Sequence, residues 1–263
     1  MFFRPGLLRA AKLPTANARL FAASTRRFKS SRFRPPVGPP AGQKASENWL
    51  MTILGLNTVV FAAWKYADNT IPIKFTEDQL EKIRVYKGLI DNFVFKRDDP
   101  QHGRWWTAIT HAFSHMELPH FIFNMIALKS FGEALIAYLP GIRPLTFPTL
   151  YLGASLSGSL GWYLQKRTDT SENRSAGALG ASGAVSGLAA ACALIAPNAK
   201  WGFVFLPIGI PAWAMFSAYI AYDAFYLNDP NSRIGHGSHL SGAAFGAVYY
   251  LMVLRRFQFP MRR

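Results

Sequence analysis

Cysteine is almost missing from this chain: Cys192 is the only one in 263 residues. A single thiol excludes an internal disulfide framework, so the redox state of the compartment is not written in the sequence. Charge is also scarce. Only 16% of the residues are charged while 50% are hydrophobic. An ordinary soluble domain carries about 25% charge, so this balance points to a membrane protein. Acids are absent altogether before Glu47, although ten of the lysines and arginines precede it. Beyond residue 44 the charges nearly balance, despite a net charge of +15. No nucleic-acid motif accompanies them, so no nucleic-acid partner is expected. Internal repeats and paired broken helices, the marks of a transporter, are missing too.

The basic head is rich in Arg, Ser and Ala, with Leu and Phe mixed in. Arg9, Lys12 and Arg19 interrupt any apolar core a secretory signal would need. The pattern is that of a mitochondrial transit peptide; the alternative is a disordered basic tail on a membrane surface. A Pro- and Gly-rich linker follows over Arg34–Gly42. The expected division is therefore transit peptide and linker over 1–45 and a membrane domain over 46–263.

Six apolar stretches are expected to form membrane-spanning helices. The first runs Trp49–Ala67, with Trp49 and Trp64 about 22 Å apart as interfacial anchors. Asp68–Gly103 mixes both charge signs and contains no span of about 20 apolar residues. It reads as a long extramembrane loop with an amphipathic interfacial helix over Thr76–Val94. Trp105 and Trp106 mark re-approach to the bilayer. The later spans are Leu118–Tyr138, with Pro119 in its first turn, then Phe147–Gln165, Gly180–Ala196, Ile210–Leu227 and Gly237–Leu254. An even count places both basic termini, Arg143 and Lys200 on one side, as the positive-inside tendency asks. The long loop and the start of the fourth span then share the other side. For a mitochondrial protein that side is the intermembrane space.

Polar groups inside such spans are costly and usually functional. Ser182 opens the fourth span within Gly180-Ala181-Ser182-Gly183, and His239 lies about one turn into the sixth. A serine hydroxyl needs a base, and histidine is the usual one near neutral pH. Gly242 and Gly246 follow His239 at Gly-xxx-Gly spacing, which lets the sixth helix approach the small-residue fourth. The backbone N–H groups at the start of the fourth helix can serve a developing oxyanion. His120 and Asn124, four apart on the second span, offer two more donors. Each residue also has a plain reading: a membrane serine commonly bonds its own helix backbone, and Gly-xxx-Gly is mostly packing. His111, His115 and His120 lack the His-Glu-x-x-His spacing of a zinc site. Tyr222-Asp223 is like one half of an aspartyl intramembrane site, but no Gly-x-Gly-Asp supplies the other carboxylate.

Taken together, the pieces Thr110-His111-Ala112-x-x-His115-x4-His120-x3-Asn124, Gly132, Gly180-Ala181-Ser182-Gly183 and His236-x-x-His239-Leu240-x-Gly242-x-x-x-Gly246 resemble the rhomboid family of intramembrane serine proteases. The Asp223-to-His236 spacing and the His-x-x-His-Leu run look most like its mitochondrial branch. The resemblance implies an all-α, six-helix rhomboid bundle in the mitochondrial inner membrane. It implies a Ser182–His239 dyad with no carboxylate third member, and an oxyanion site from His120, Asn124 and the Ser182 N–H. It implies no cofactor and no metal. Its partners would be the lipid bilayer and single-span membrane-protein substrates, cut within their transmembrane helices. Catalytically silent relatives that bind membrane clients are the alternative; those lack the serine, the histidine or both. Some members carry an aromatic residue one turn after the nucleophile, to pack on the histidine. Here that position is Ser186, and the Trp-Arg pair often found in the long loop is replaced by Trp106-Thr107 after Arg104.

Overall fold

A computed structural model describes residues 40–68, 79–167, 177–203, 206–229, 232 and 234–258. The stretch before residue 40, expected as a transit peptide, most of the polar stretch between Lys166 and Ser175 and the last five residues lie outside these. Helices dominate. α1 (Ala41–Ala67) is followed by α2 (Gln79–Phe93), the short α3 (Thr107–Thr110) and a 3-10 turn (His111–Phe113). Then come α4 (Leu118–Tyr138), α5 (Thr146–Arg167), α6 (Ser182–Ile195), α7 (Ala212–Phe225) and α8 (His236–Tyr249). A π-helical segment (Tyr250–Leu254) and α9 (Arg255–Gln258) continue α8.

α1 and α4 are each long and apolar enough to cross a membrane, and α6 is a shorter apolar helix. α1 begins directly after Pro40, so residues 41–45, expected in the linker, are helical. It buries Ser46, Leu50, Ile53, Asn57, Phe61 and Trp64, a single stripe at three- and four-residue steps. Its buried polar groups bond within the helix: Ser46 Oγ donates to Gly42 O and Asn57 Nδ2 to Ile53 O. Trp64 is not the interfacial anchor expected. Its ring is fully buried and its Nε1–H donates to Ser114 Oγ at 2.8 Å, holding α1 to the segment before α4.

α6 is the centre. Every residue from Gly183 to Ala193 is buried, between α4, α5, α7 and α8. Small side chains permit this enclosure. A Cβ on Gly242 of α8 would stand 2.0 Å from Gly183 O, and one on Gly246 would stand 2.0 Å from Gly187 O. Gly158 of α5 also meets Gly183, where an added Cβ would lie 3.4 Å from its Cα. Backbones this close gain van der Waals contact that larger residues would forbid.

An unexpected element is an antiparallel hairpin, β1 (Lys200–Phe203) with β2 (Leu206–Pro211), pairing Trp201 with Ile210. It joins α6 to α7 where the all-α reading placed a connection, and its last two residues, Ile210 and Pro211, are strand although expected to open the fifth span. The bundle has two distinct ends. At one, Gly42 touches the Ile142 carbonyl, the Arg143 guanidinium lies over the Phe257 ring, and Gln258 Nε2 donates to Ile195 O. At the other, the segment after α2 pairs with the segment before α6 through reciprocal Phe95–Ala178 backbone bonds of 2.8 and 2.9 Å. Asp99 organises this second end. It accepts from Arg104 Nε at 2.7 Å, Thr107 Oγ1 at 2.9 Å and the Lys96 N–H at 2.8 Å. The hydrogen bond to Asp99 makes the Arg104 guanidinium hold its proton more tightly than usual.

Candidate active site

The chain reaches Ser182 through a tethered approach. Gly180 N–H donates to His111 O at 2.9 Å, and Ala181 N–H donates to His115 Nε2 at 3.2 Å. Gly180 has φ +118°, which L side chains rarely adopt, and a Cβ there would stand 2.6 Å from the His120 ring. Only glycine lets the backbone turn into α6 at this point. Ser182 is then the first residue of α6. N–H groups in a first helical turn have no carbonyl one turn back, and they face the positive end of the helix dipole.

His239 comes from α8, one turn after its start. Its Nε2 lies 2.9 Å from Ser182 Oγ. The two residues singled out in the sequence, 57 positions apart, are in hydrogen-bonding contact. The close α6–α8 packing at Gly183, Gly187, Gly242 and Gly246 is what brings the two side chains within reach.

The expectation of a pair without a carboxylate is overturned. Asp223 of α7 is 1% exposed and lies behind the imidazole, its Oδ2 3.1 Å and Oδ1 3.2 Å from His239 Nδ1. The same carboxylate receives His236 Nδ1 at 2.5 Å. Asp223 sits in an apolar run of α7 where a lone acid would be costly. Two imidazole N–H groups supply its hydrogen bonds.

The aromatic support missing at Ser186 comes from α7 instead. The Tyr219 ring lies 5.8 Å from the His239 ring at 31°. Its hydroxyl is 2.8 Å from Ser186 Oγ, and Ser186 in turn donates to Ser182 O at 2.8 Å. With its hydroxyl committed to Ser182 O, Ser186 accepts the Tyr219 proton. Tyr219, Tyr222, Asp223 and Tyr226 form one stripe of α7 at three- and four-residue steps. Tyr219 packs on His239, and Tyr222 and Tyr226 on His236. The usable signal was this stripe facing the His-x-x-His of α8.

His120 and Asn124 line the same cavity as Ser182 and His239, with a volume of about 670 Å³. The His120 ring stands edge-on to His115, 5.0 Å between centroids. Asn124 Nδ2 donates to His120 O at 2.8 Å. His111, expected only as part of the motif, contacts Ser159 Oγ of α5 at 2.7 Å. A second cavity of about 620 Å³ runs between α4 and α7. Phe123, Phe131, Trp201, Met215 and Phe216 are among its lining residues, and it reaches Ser182, Asn124 and Tyr219. Asp223, His236 and His239 also bring three possible metal-ligand atoms within 4.8 Å of one another. Each of those three side chains has hydrogen-bond partners among the groups around it.

The comparisons bear on which family the chain belongs to. The family model described as Rhomboid domain matches residues 102–256. RHOMBOID-like protein 12, mitochondrial, of Arabidopsis thaliana is 30% identical over 184 residues, which cover 65% of this chain and 53% of that protein. Rhomboid protein 1, mitochondrial, of Saccharomyces cerevisiae is 29% identical over 209 residues, 77% of this chain and 52% of that protein. Presenilin-associated rhomboid-like protein A, mitochondrial, of Danio rerio is 28% identical over 212 residues, 80% of this chain and 49% of that protein. The chain thus aligns with about half the length of each of these relatives. With the matched domain spanning more than half of the chain, and both ends of the site inside it, the protein belongs to the rhomboid family, on the branch that holds these mitochondrial proteins.

Proposed function

We propose that the protein is a serine endopeptidase that cuts transmembrane helices within the membrane. The 2.9 Å contact between Ser182 Oγ and His239 Nε2 carries the reading. Ser182 Oγ attacks the substrate carbonyl as its proton passes to His239 Nε2, and His239 then protonates the leaving amine. Water repeats the sequence on the acyl-enzyme and frees Ser182. Asp223 keeps the His239 Nδ1–H directed away from the serine and stabilises the imidazolium that forms. The Ser182 N–H, with His120 and Asn124 across the cavity, receives the charge that develops on the substrate oxygen.

The remaining arrangement fits a substrate drawn from lipid. The groove between α4 and α7 is apolar and ends at the serine, as a client helix requires. Leu152, Leu156, Leu160 and Leu164 form an exposed ridge on α5 at four-residue steps, a surface suited to acyl chains. We read the bundle as six spans: α1, α4, α5, α6, α7 and α8 with its continuation. α1 and α4 measure about 40 and 31 Å, enough for a hydrocarbon core of about 30 Å. α6, at about 21 Å, is shorter than that core, so Ser182 at its start would lie below one membrane surface at the floor of the polar cavity.

Lys44, Arg143, Lys200, Arg255 and Arg256 all belong to the end away from Ser182, which suits the matrix side of an inner mitochondrial membrane. The segment carrying α2 and α3 would then lie in the intermembrane space with the active site, beyond a cleaved head and linker. Fluorophosphonate labelling of the purified protein tests the reading. Modification mapped to Ser182, and lost in His239→Ala, is expected. A folded protein that stays unlabelled, or is labelled elsewhere, would instead be a silent client-binding relative.

A further inference from the structure

His236 is unused by the reaction above, yet it is fully buried and makes the shortest contact to Asp223. Its other ring nitrogen, Nε2, lies 2.8 Å from Ser232 Oγ, and Ser232 Oγ lies 3.2 Å from the Ile234 N–H. These contacts leave little freedom in where the protons sit. An ionised carboxylate can only accept, so a neutral His236 places its proton on Nδ1, pointed at Asp223 Oδ1. Ser232 Oγ, which accepts from the Ile234 N–H through one lone pair, then turns its own proton toward His236 Nε2. The second oxygen is left to His239 Nδ1, whose proton therefore also faces Asp223. His239 Nε2 is bare toward Ser182. One assignment satisfies the whole run Ile234–Ser232–His236–Asp223–His239–Ser182, with two neutral imidazoles and an ionised carboxylate.

Resting on the Ser182–His239 reading, we propose that His236 is a positioning residue: it holds the Asp223 carboxylate so that His239 keeps its proton on Nδ1 and presents a free Nε2 to Ser182. Residues on every side of the ring fit this role. Tyr222 and Tyr226 pack on it from α7, with centroids 5.8 and 6.1 Å away. His239 stands edge-on at 6.4 Å within α8. On the α5 side, Gln165 accepts the Gly237 N–H at 3.0 Å and donates to Leu227 O, closing the start of α8 against the end of α7. The ring is fixed in place, and its Nδ1 edge supplies Asp223 with one hydrogen bond while Ser232 meets its other nitrogen.

The test compares three variants of the full-length purified protein. His236→Phe keeps a ring for the tyrosines but has no donor. His236→Asn can place an amide N–H near the former Nδ1, and His236→Gln places one near Nε2. The Phe variant is expected to lose kcat by roughly ten- to a hundredfold, as when an orienting outer partner is removed, with KM unchanged. The Asn variant is expected to recover most of that loss and the Gln variant little of it. A Phe variant with wild-type kcat overturns the proposal, as does equal activity of Asn and Gln. If the Phe variant fails to fold, the Asn–Gln comparison decides alone. Selective 15N-histidine spectra of Ser182→Ala provide a readout that needs no catalysis. Both rings are expected as the Nδ1–H tautomer, and Nε2–H at His239 overturns the proposal. Absence of wild-type fluorophosphonate labelling would instead count against the serine-protease reading, while the tautomer spectra would still decide the role of His236.

Discussion

Gly242 and Gly183 meet so closely that a methyl group on Gly242 would stand 2.0 Å from the Gly183 carbonyl oxygen. Backbone cannot rotate aside as a flexible side chain can, so the helices must part. Ser182 precedes Gly183 by one residue and His239 precedes Gly242 by less than a turn, so parting separates the two. Gly242→Ala is expected to destabilise the bundle by about 1–3 kcal/mol and to abolish labelling of Ser182. Gly55→Ala, where an added Cβ has nothing within 4 Å, is the control. It is expected to be neutral or stabilising by up to about 1 kcal/mol through helix propensity. Unfolding midpoints in detergent measure both, and equal behaviour of the two variants would count against close packing as the device that aligns the site.

Asp223→Asn is expected to preserve shape while turning an amide N–H toward His239 Nδ1. That favours the proton on Nε2, the wrong nitrogen for accepting from serine. Turnover is expected to fall by on the order of 10⁴, the loss seen when the acid of a serine triad is made an amide. Rate measurement on a reconstituted transmembrane substrate checks it; a loss below tenfold would return the site to a simple pair.

Asn124→Ala removes one donor facing the developing oxyanion. Its expected cost is about 3–4 kcal/mol in the transition state, read as a turnover hundreds-fold slower with client binding little changed. A crosslinking assay for binding beside a turnover assay separates the two quantities, and an unaltered rate would remove Asn124 from the oxyanion site.

Asp99→Ala leaves two donors, Arg104 Nε and the Lys96 N–H, without this acceptor, while Thr107 Oγ1 keeps Arg104 O at 2.7 Å. Local stability is expected to drop by about 1–3 kcal/mol. Hydrogen exchange over residues 94–107 is expected to quicken about ten- to a hundredfold, because the Asp99 carboxylate ties Lys96 to Arg104 and Thr107 across the segment. Exchange that stays as slow as in the native protein would show that the Phe95–Ala178 pairing alone suffices.

The helix expected over Leu118–Tyr138 is observed over the same residues, because an apolar run bounded by Pro119 and Pro140 leaves little choice of ends. The serine and histidine were legible for a similar reason: small residues crowd around both, and crowding of that kind announces close helices. Asp223 was visible as an acid in an apolar run, but its role depends on α7 lying beside α8, which no local pattern states. Trp64 shows the same limit. A tryptophan near the end of an apolar run suits a lipid interface, and only the tertiary partner Ser114 reveals it as buried. The hairpin at Lys200–Pro211 was hidden because its Gly- and Pro-containing strands read as a connector.

α7 buries only Ala212 and Asp223 completely, yet it forms one wall of the apolar groove and carries the acid behind His239. A client prying that wall outward from lipid would tug on the carboxylate as it arrives. Under the proposed function, admission and chemistry would be mechanically joined: the door leaf and the hinge pin of the imidazole would be one helix, and a guest too bulky to let it swing back would leave the serine without its trained base.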